Sequence, residues 1–421
     1  MAAIKVRMYN VGFGDCFLLE FPRAGQEPFR VLIDCGSHSA GHPRAGWKIS
    51  ETVATIIDDL GAGSPPVIDV VAASHRHQDH VSGFDVPAWS EVGVGEVWLP
   101  WTENPSDPEA TRIRTKQSSL ALNLTNAFAD AGFDDRWESA DIKGSLQAMV
   151  ANSLTNDTAM RTLHQGFAGK PKRLFLSTPE TATIAPTACP GLTVHVLGPS
   201  RDEATIRDMD PPTGQSYLRF GAAPPPGVPV ERSPSSEDRG PFAKNFVLDE
   251  DRYEQTYQMK RLGGAMKRKA AGIMRDTDLA TAVSLDKAVN GTSLMLMFEF
   301  GSAYLLFPGD AQWGTWNAVM TQPATRDLIS RTTFYKVGHH GSHNATPVDF
   351  LEKVLEPDHT LWGAAASVRP IKFWPDIPRD PLMKELAKRS DRVLRSDLPG
   401  KNQSGVAVRA NGLGVDFHVP C

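Results

Sequence analysis

The chain opens with alternation of apolar and polar positions: residues 4–9 and 16–21 read as two strands around Gly12 and Gly14, and Arg30–Asp34 reads as a third that ends in Asp-Cys-Gly. Residues 50–60, SETVATIIDDL, place apolar groups at helical spacing behind a serine cap. Val67–Ala73 is then an apolar run interrupted only by Asp69, which suits a largely buried strand. Where that strand ends the pattern turns abruptly polar, in Ser74-His75-Arg76-His77-Gln78-Asp79-His80.

Val94–Pro100 reads as another strand, but Trp101 to about Pro190 is mostly polar, with helical patches such as Ser118–Ala131, before the strand Leu192–Leu197. Ser200 to Asn290 is irregular and contains the proline- and glycine-rich stretch Gly221–Pro241 and the basic stretch Lys260–Lys269. Regular patterning returns with Ser293–Phe300 and Ala303–Phe307, joined at Gly301-Ser302 and followed by Pro308-Gly309-Asp310. Thr333–Val337 is a strand ending in Gly338-His339-His340-Gly341-Ser342-His343. Residues 380–390 read as a helix, and Ser404–Val408 with Gly414–Val419 read as a closing strand pair around Asn411-Gly412. No internal sequence repeat is present. The two halves nevertheless share a plan of strands, a buried strand, then a polar loop rich in metal-binding side chains. We read 1–421 as one α/β domain with insertions at about 101–190 and 200–289.

Composition changes this picture little. At 421 residues and 41% hydrophobic, the chain can bury a substantial core. Its net charge of −5 gives no overall attraction to nucleic acid, so an anionic substrate would need local positive charge, which metal ions could supply. Cys16, Cys35, Cys189 and Cys421 are far apart without a CxxC spacing, which argues for reduced buried thiols over a structural zinc module or a disulfide framework. The N-terminal segment lacks the charged-then-apolar pattern of a signal sequence, and no apolar run reaches about 18 residues. The expectation is a cytoplasmic protein with no membrane segment.

The candidate chemistry lies in the polar loops. His75, His77, Asp79 and His80 are four potential ligands within six residues at the end of a buried strand, a density that a solvated turn does not need. Neutral imidazoles and a carboxylate suit zinc, which in an open site lowers the pKa of bound water to about 7. Asp310 ends a second buried strand, and His339-His340 follow a third. An isolated Gly-Asp is usually an ordinary turn. Its place after an apolar strand, beside the other motifs, reverses that reading.

The HxHxDH run resembles the signature of the metallo-β-lactamase superfamily, whose fold is a four-layer αββα sandwich. The resemblance implies that His75 and His77 hold a first metal, that Asp79 and His80 hold a second, that Asp310 bridges the two, and that a histidine of His339-His340 completes the second. We favour His340 as that ligand, with His339 turned toward substrate or toward a carboxylate behind the ligands. Related flavodiiron oxidoreductases carry Glu at the position of His77, so His77 favours zinc hydrolysis over iron redox chemistry. A closer resemblance joins Val11-Gly12-Phe13-Gly14-Asp15-Cys16, Leu32-Ile33-Asp34-Cys35-Gly36, Asn290-Gly291-Thr292-Ser293-Leu294, Pro308-Gly309-Asp310 and His339-His340-Gly341-Ser342. In this order they look like the soluble hydrolase domain of the ComEC competence proteins, across nearly the whole chain outside the two insertions. The membrane-spanning part of ComEC has no counterpart here, so DNA uptake is not implied.

Two departures qualify the resemblance. The usual third histidine of the first metal is absent from Ala288-Val289-Asn290-Gly291-Thr292-Ser293; Asn290 could offer an oxygen or hold a water, but amides bind zinc weakly, which makes the first site the weaker and manganese an alternative. His164 and His195 are other sources of a ligand, though each reads better as structural. Trp374-Pro375-Asp376-Ile377-Pro378 stands where the subgroup often carries an Asn…His-Pro segment, so substrate contacts should differ.

These readings imply a metal-dependent hydrolase with two zinc ions. Asp79 and Asp310 would orient a metal-activated hydroxide, and His339 would stabilise developing charge or protonate the leaving group. The substrate expected is a phosphodiester or phosphate ester, such as a nucleotide or nucleic acid. Lys260, Arg261, Lys267, Arg268 and Lys269 could guide it, although a solvated helical face is the better reading. The alternatives are a hydrolase of a lactone, thioester or amide, and a binding protein that keeps the fold without catalysis.

Overall fold

The structure, a computed structural model, describes residues 2–61, 66–129, 152, 156–212, 214–217, 284–344, 346–355, 359–371, 374 and 376–421, the side chains of 125–129 and 411 excepted. The basic stretch 260–269 and the proline- and glycine-rich stretch 221–241 lie outside the described residues.

Two mixed sheets form the framework. The first contains β1 (Ala3–Tyr9), β2 (Cys16–Phe21), β3 (Phe29–Cys35), β4 (Val67–Ala72), β5 (Gly93–Pro100), β6 (Lys172–Leu176), β14 (Val406–Val408) and β15 (Gly414–Pro420), in the order β14-β15-β1-β2-β3-β4-β5-β6. The second contains β7 (Thr183–Ile184), β8 (Leu192–Gly198), β9 (Met295–Phe300), β10 (Ala303–Phe307), β11 (Phe334–Lys336), β12 (Gly363–Ala366) and β13 (Val393–Arg395), in the order β13-β12-β11-β10-β9-β8-β7. The stretch 101–190, expected as an insertion, thus contributes β6 and β7, each at the edge of a sheet.

Both sheets change from antiparallel to parallel pairing at their centre. β2 and β3 run antiparallel while β3 and β4 run parallel; β9 and β10 run antiparallel while β10 and β11 run parallel. Neighbouring parallel strands end at the same edge of a sheet, so the loops that follow β3 and β4, and those that follow β10 and β11, emerge side by side. This is the shared plan visible in the two halves of the sequence, and it gathers the polar loops.

Successive strand residues point to opposite faces, and the cores follow that period. Phe17, Leu19 and Phe21 of β2 join Leu296, Phe298, Leu305 and Phe307 in a core between the sheets. Phe17 meets Phe307 edge-on at 5.5 Å between ring centroids, and Phe21 meets Phe298 at 5.9 Å. Truncating one of these rings to alanine would cost about 3–5 kcal/mol. The intervening Leu18, with Leu32, Val71 and Val97, faces outward against Val53 and Ile56 of the helix Ile49–Asp59 and against Phe84 and Trp89. On the second sheet Met297, Leu306 and Tyr335 face outward against Trp316, Ile329, Phe350 and Leu382. Helices therefore cover the outer face of each sheet.

The helix Ile49–Asp59 is fastened by charge. Arg7 donates to both carboxylate oxygens of Asp416 at 2.7 and 2.8 Å and pairs with Asp59 at 2.7 Å, while Arg409 and Tyr9 also donate to Asp59. This mostly buried network ties β1, β15 and the C-terminal end of the helix together. Removing one member would leave a partner charge uncompensated, at about 3–5 kcal/mol.

Candidate metal centre

The loop that follows β4 is held close to the chain that precedes β2. Gly14, at φ +153°, donates space: a Cβ there would lie 2.4 Å from the Gly36 carbonyl oxygen and 2.7 Å from that of Asp79. The Asp15 amide then donates to the Asp79 carbonyl at 2.9 Å. The glycines of Val11-Gly12-Phe13-Gly14-Asp15 and of Asp34-Cys35-Gly36 thus allow two backbone segments to converge on the histidine loop. Asn156 donates to the Arg76 carbonyl at 2.6 Å from outside that loop.

At this point Asp79, His80, Asp310 and His340, all buried, bring one potential ligand atom each to within 4.8 Å of one another. His340 Nε2 lies 3.1 Å from Asp79 Oδ2 and 3.7 Å from Asp310 Oδ2; His80 Nε2 lies 3.2 Å from Asp310 Oδ2 and 4.0 Å from Asp79 Oδ2. The opposite nitrogens are engaged elsewhere. His80 donates Nδ1–H to Asp34 Oδ2 at 2.8 Å, and His340 donates Nδ1–H to the Ser367 carbonyl at 2.9 Å. Both imidazoles therefore aim Nε2 at the two carboxylates, with the tautomer fixed from behind. Asp34, at φ +55°, also accepts from the Ser74 amide at 2.6 Å and the Ser74 hydroxyl at 2.7 Å.

His75 and His77 stand beside this group. His75 Nε2 and His77 Nδ1 are 3.1 Å apart, and the His75 and His80 rings are 4.1 Å apart between centroids. The described residues contain two groups of three or more side chains that could hold a metal ion, Asp79–His80–Asp310–His340 and Asp15–Asp34–His80, and neither includes His75 or His77. His195 is paired with Glu299 at 2.8 Å and His164 stacks on Phe175, so neither completes a site with the His75–His77 pair. Asn290 does face the centre. Its Nδ2 lies 3.4 Å from both Asp286 Oδ2 and His339 Nε2, and its Oδ1 is buried without a hydrogen-bond partner.

His339 and His340 adopt positive φ, +41° and +53°, a region costly for side chains other than glycine. That turn sends the two imidazoles apart: His340 is fully buried, whereas the His339 side chain is 18% exposed at the lip, 3.7 Å from Asp310 Oδ2, with Nδ1 2.9 Å from the Ser342 hydroxyl. His343 is partly buried, and burial, with Lys287 and Arg379 nearby, pushes its pKa down to about 4. Trp374 packs against Phe13 and His38, and Phe13 in turn lies 4.5 Å from the His340 ring.

Asp15, Asp34, Lys336 and Asp286 carry no assignment in the sequence reading. The first two are visible there as parts of motifs without a role. Asp286 sits in the helical residues 284–290, with Oδ1 3.8 Å from His77 Nε2; burial and the charges of Asp79 and Asp310 push its carboxyl up to about 7.

The electrostatics are those of a site with surplus negative charge. Burial opposes ionisation of Asp79 and Asp310, but His80 and the other imidazoles hold both carboxyls well below the usual range. Burial likewise opposes the charged form of His80 and His340, and the carboxylates raise both above the ordinary histidine value. His75 and His77 lack enough compensation: burial lowers both, His77 to about 4. Asp79 Oδ1 and Asp310 Oδ1 remain buried without a hydrogen-bond partner. Oxygen and imidazole donors, convergent lone pairs and orphaned carboxylate oxygens fit a metal ion. No helix among the described residues is long and apolar enough to cross a membrane. No family model matches the chain, and no curated protein matches it.

Proposed function

We propose that the chain is a metal-dependent hydrolase of the metallo-β-lactamase type, acting on a phosphodiester or phosphate ester. The observation that carries the reading is the convergence of Asp79, His80, Asp310 and His340, from loops after three different strands, on one buried point. The two facing mixed sheets with helices outside agree with the four-layer αββα sandwich of that superfamily. So does the order of loops along the chain.

Zinc or manganese held there would supply Lewis acidity and an activated water at neutral pH. Asp79, His80, Asp310 and His340 would hold one ion; His75 and His77 would hold the weaker one, toward which Asn290, beside His339, has a buried amide oxygen without a hydrogen-bond partner. The residues' own contribution is orientation. Asp34 and Ser367 fix the ring nitrogens that face the centre, and Asp79 and Asp310 keep their carboxylates ionised to hold a cation and align a nucleophile. His339, partly exposed beside Asp310, is placed to hydrogen-bond a substrate entering from the lip; burial lowers its pKa, which favours the neutral imidazole there. The site's own carboxylates would repel a phosphate until cations offset them, so activity on an anionic ester should be strictly metal-dependent.

The test is elemental analysis of purified protein together with turnover of bis-p-nitrophenyl phosphate and cyclic dinucleotides, before and after chelation. Metal-restored hydrolysis of the phosphodiesters supports the reading. Turnover confined to lactones, thioesters or uncharged esters would replace the substrate class, and a protein with neither metal nor metal-restored activity would be a binding protein on this fold.

A further inference from the structure

His80 is shared by two groups of buried side chains. Through Nε2 it faces Asp79 and Asp310; through Nδ1 it faces Asp34 at 2.8 Å and Asp15 at 3.7 Å. The second group, Asp15–Asp34–His80, has by itself the composition of a metal site. It also has a resident cation. Lys336, at the end of β11 and almost wholly buried, forms an ion pair with Asp15 Oδ2, donates to the Gly309 carbonyl at 3.4 Å and stands 3.8 Å from Asp310 Oδ1.

We propose that Lys336 is a built-in cation, a positioning residue whose ammonium takes the place of a metal ion at Asp15–Asp34–His80 and so confines metal to the Nε2 side of His80. This rests on the metal-centre reading above. Three carboxylates, Asp15, Asp34 and Asp310, are buried beside this lysine. A buried carboxylate must be paired or neutralised, and Asp15 has Oδ1 without a hydrogen-bond partner, so the lysine is the main compensation it has. A small internal cavity bordered by Asp15, Asp34, Ser74 and Lys336 on one side and by Phe17 and Phe307 on the other leaves room at this position. The tether matters as much as the charge. An ammonium fixed to β11 cannot dissociate, so Asp34 stays available to orient His80 whether or not metal is bound.

The test uses the full-length protein with Lys336→Met, a substitution that keeps the volume of the stem. After equilibration with Mn²⁺ or Zn²⁺ and removal of free ion, the variant should carry one more ion per chain than the wild type, and the extra ion should be lost in Lys336→Met combined with Asp15→Asn. Its thermal midpoint should also rise more on adding metal than the wild type's. A variant with the wild-type metal count, affinity and metal response overturns the proposal. Should Lys336→Met not fold, Asp15→Asn alone decides: with its partner neutralised the ammonium turns toward Asp310 and competes with metal, weakening affinity by about tenfold or more, whereas unchanged affinity overturns the proposal. Wild-type protein that takes up no metal would instead remove the metal-centre reading itself.

Discussion

Asp34 Oδ2 lies 2.8 Å from Nδ1 of His80, and this contact decides which nitrogen of His80 can face the centre. Asp34 is also the acceptor for the amide and hydroxyl of Ser74, the residue that starts the histidine loop. One carboxylate therefore orients a ligand and anchors the segment that bears it. Asp34→Asn can keep the left-handed backbone and can still accept from Ser74, but it removes the charge that favours the Nδ1–H form. Metal affinity should fall by about 10- to 100-fold with the fold retained. Competition against a chromophoric chelator measures this; an affinity equal to the wild type's would mean that His80 needs no orienting partner.

Metal uptake should release protons. The carboxylates around His80 and His340 outweigh the cost of burying charge and raise both pKa values above 6.5. In metal-free protein these ion pairs contribute stability that is full below 6.5 and is lost as pH rises through the folded-state values. A metal ion must displace the same protons, so its affinity should strengthen as pH rises through that window. Calorimetric titrations in two buffers of different ionisation enthalpy would count the protons. Affinity that weakens with rising pH would contradict the assignment of His80 and His340 as ligands.

Much of the fold is legible in the chain because its central strands are buried on both faces and read as apolar runs, as in Val67–Ala72 and Ala303–Phe307. β12 is not: Gly363–Ala366 is four small residues that carry no strand preference of their own and are held by β11 and β13. β6 hides in a polar stretch because it is an edge strand, half-exposed along most of its length. At the site, His75–His80, Asp310 and His340 declare themselves by residue type and by following buried strands. Lys336 and Asp286 do not, because a lysine or an aspartate is ordinarily solvated and only packing shows that these two face the centre. His75 and His77 belong to neither of the two groups of potential ligands among the described residues, and the sequence around 288–293 offers no histidine beside them.

Asp79→Ala and Asp310→Ala should each reduce turnover to background without unfolding the protein. Both carboxylates are held ionised against burial by the imidazoles around them, so removing either forfeits ion pairs with His80 and His340 in the metal-free state while leaving the preceding strands intact. In the presence of chelator at acidic pH, where His80 and His340 are protonated, the thermal midpoint of each variant should fall; the difference should narrow as pH rises and the imidazoles lose their protons, and the stabilisation produced by added metal should shrink or vanish. The pairing of the two measurements matters. Lost activity with a midpoint in chelator lowered equally at every pH would mark a structural role beyond these ion pairs, and retained activity in both variants would refute the site.

Gly14 offers a test of the backbone arrangement. Its φ of +153° is open to glycine almost alone, and an added Cβ would collide with the carbonyl oxygens of Gly36 and Asp79, neither of which can move without shifting the histidine loop or Asp34. Gly25 has φ +68° in a turn with nothing within 4 Å of the added atom. Gly25→Ala should therefore cost roughly 1 kcal/mol, from the backbone alone, and leave metal binding unchanged. Gly14→Ala should cost roughly 2–5 kcal/mol, because collision adds to conformational strain, and the folded fraction should bind metal more weakly since Asp79 is displaced with its carbonyl. Denaturant unfolding gives the first quantity and metal titration the second. If the two variants proved equivalent in both, close approach of the Gly14 loop would not be what positions Asp79.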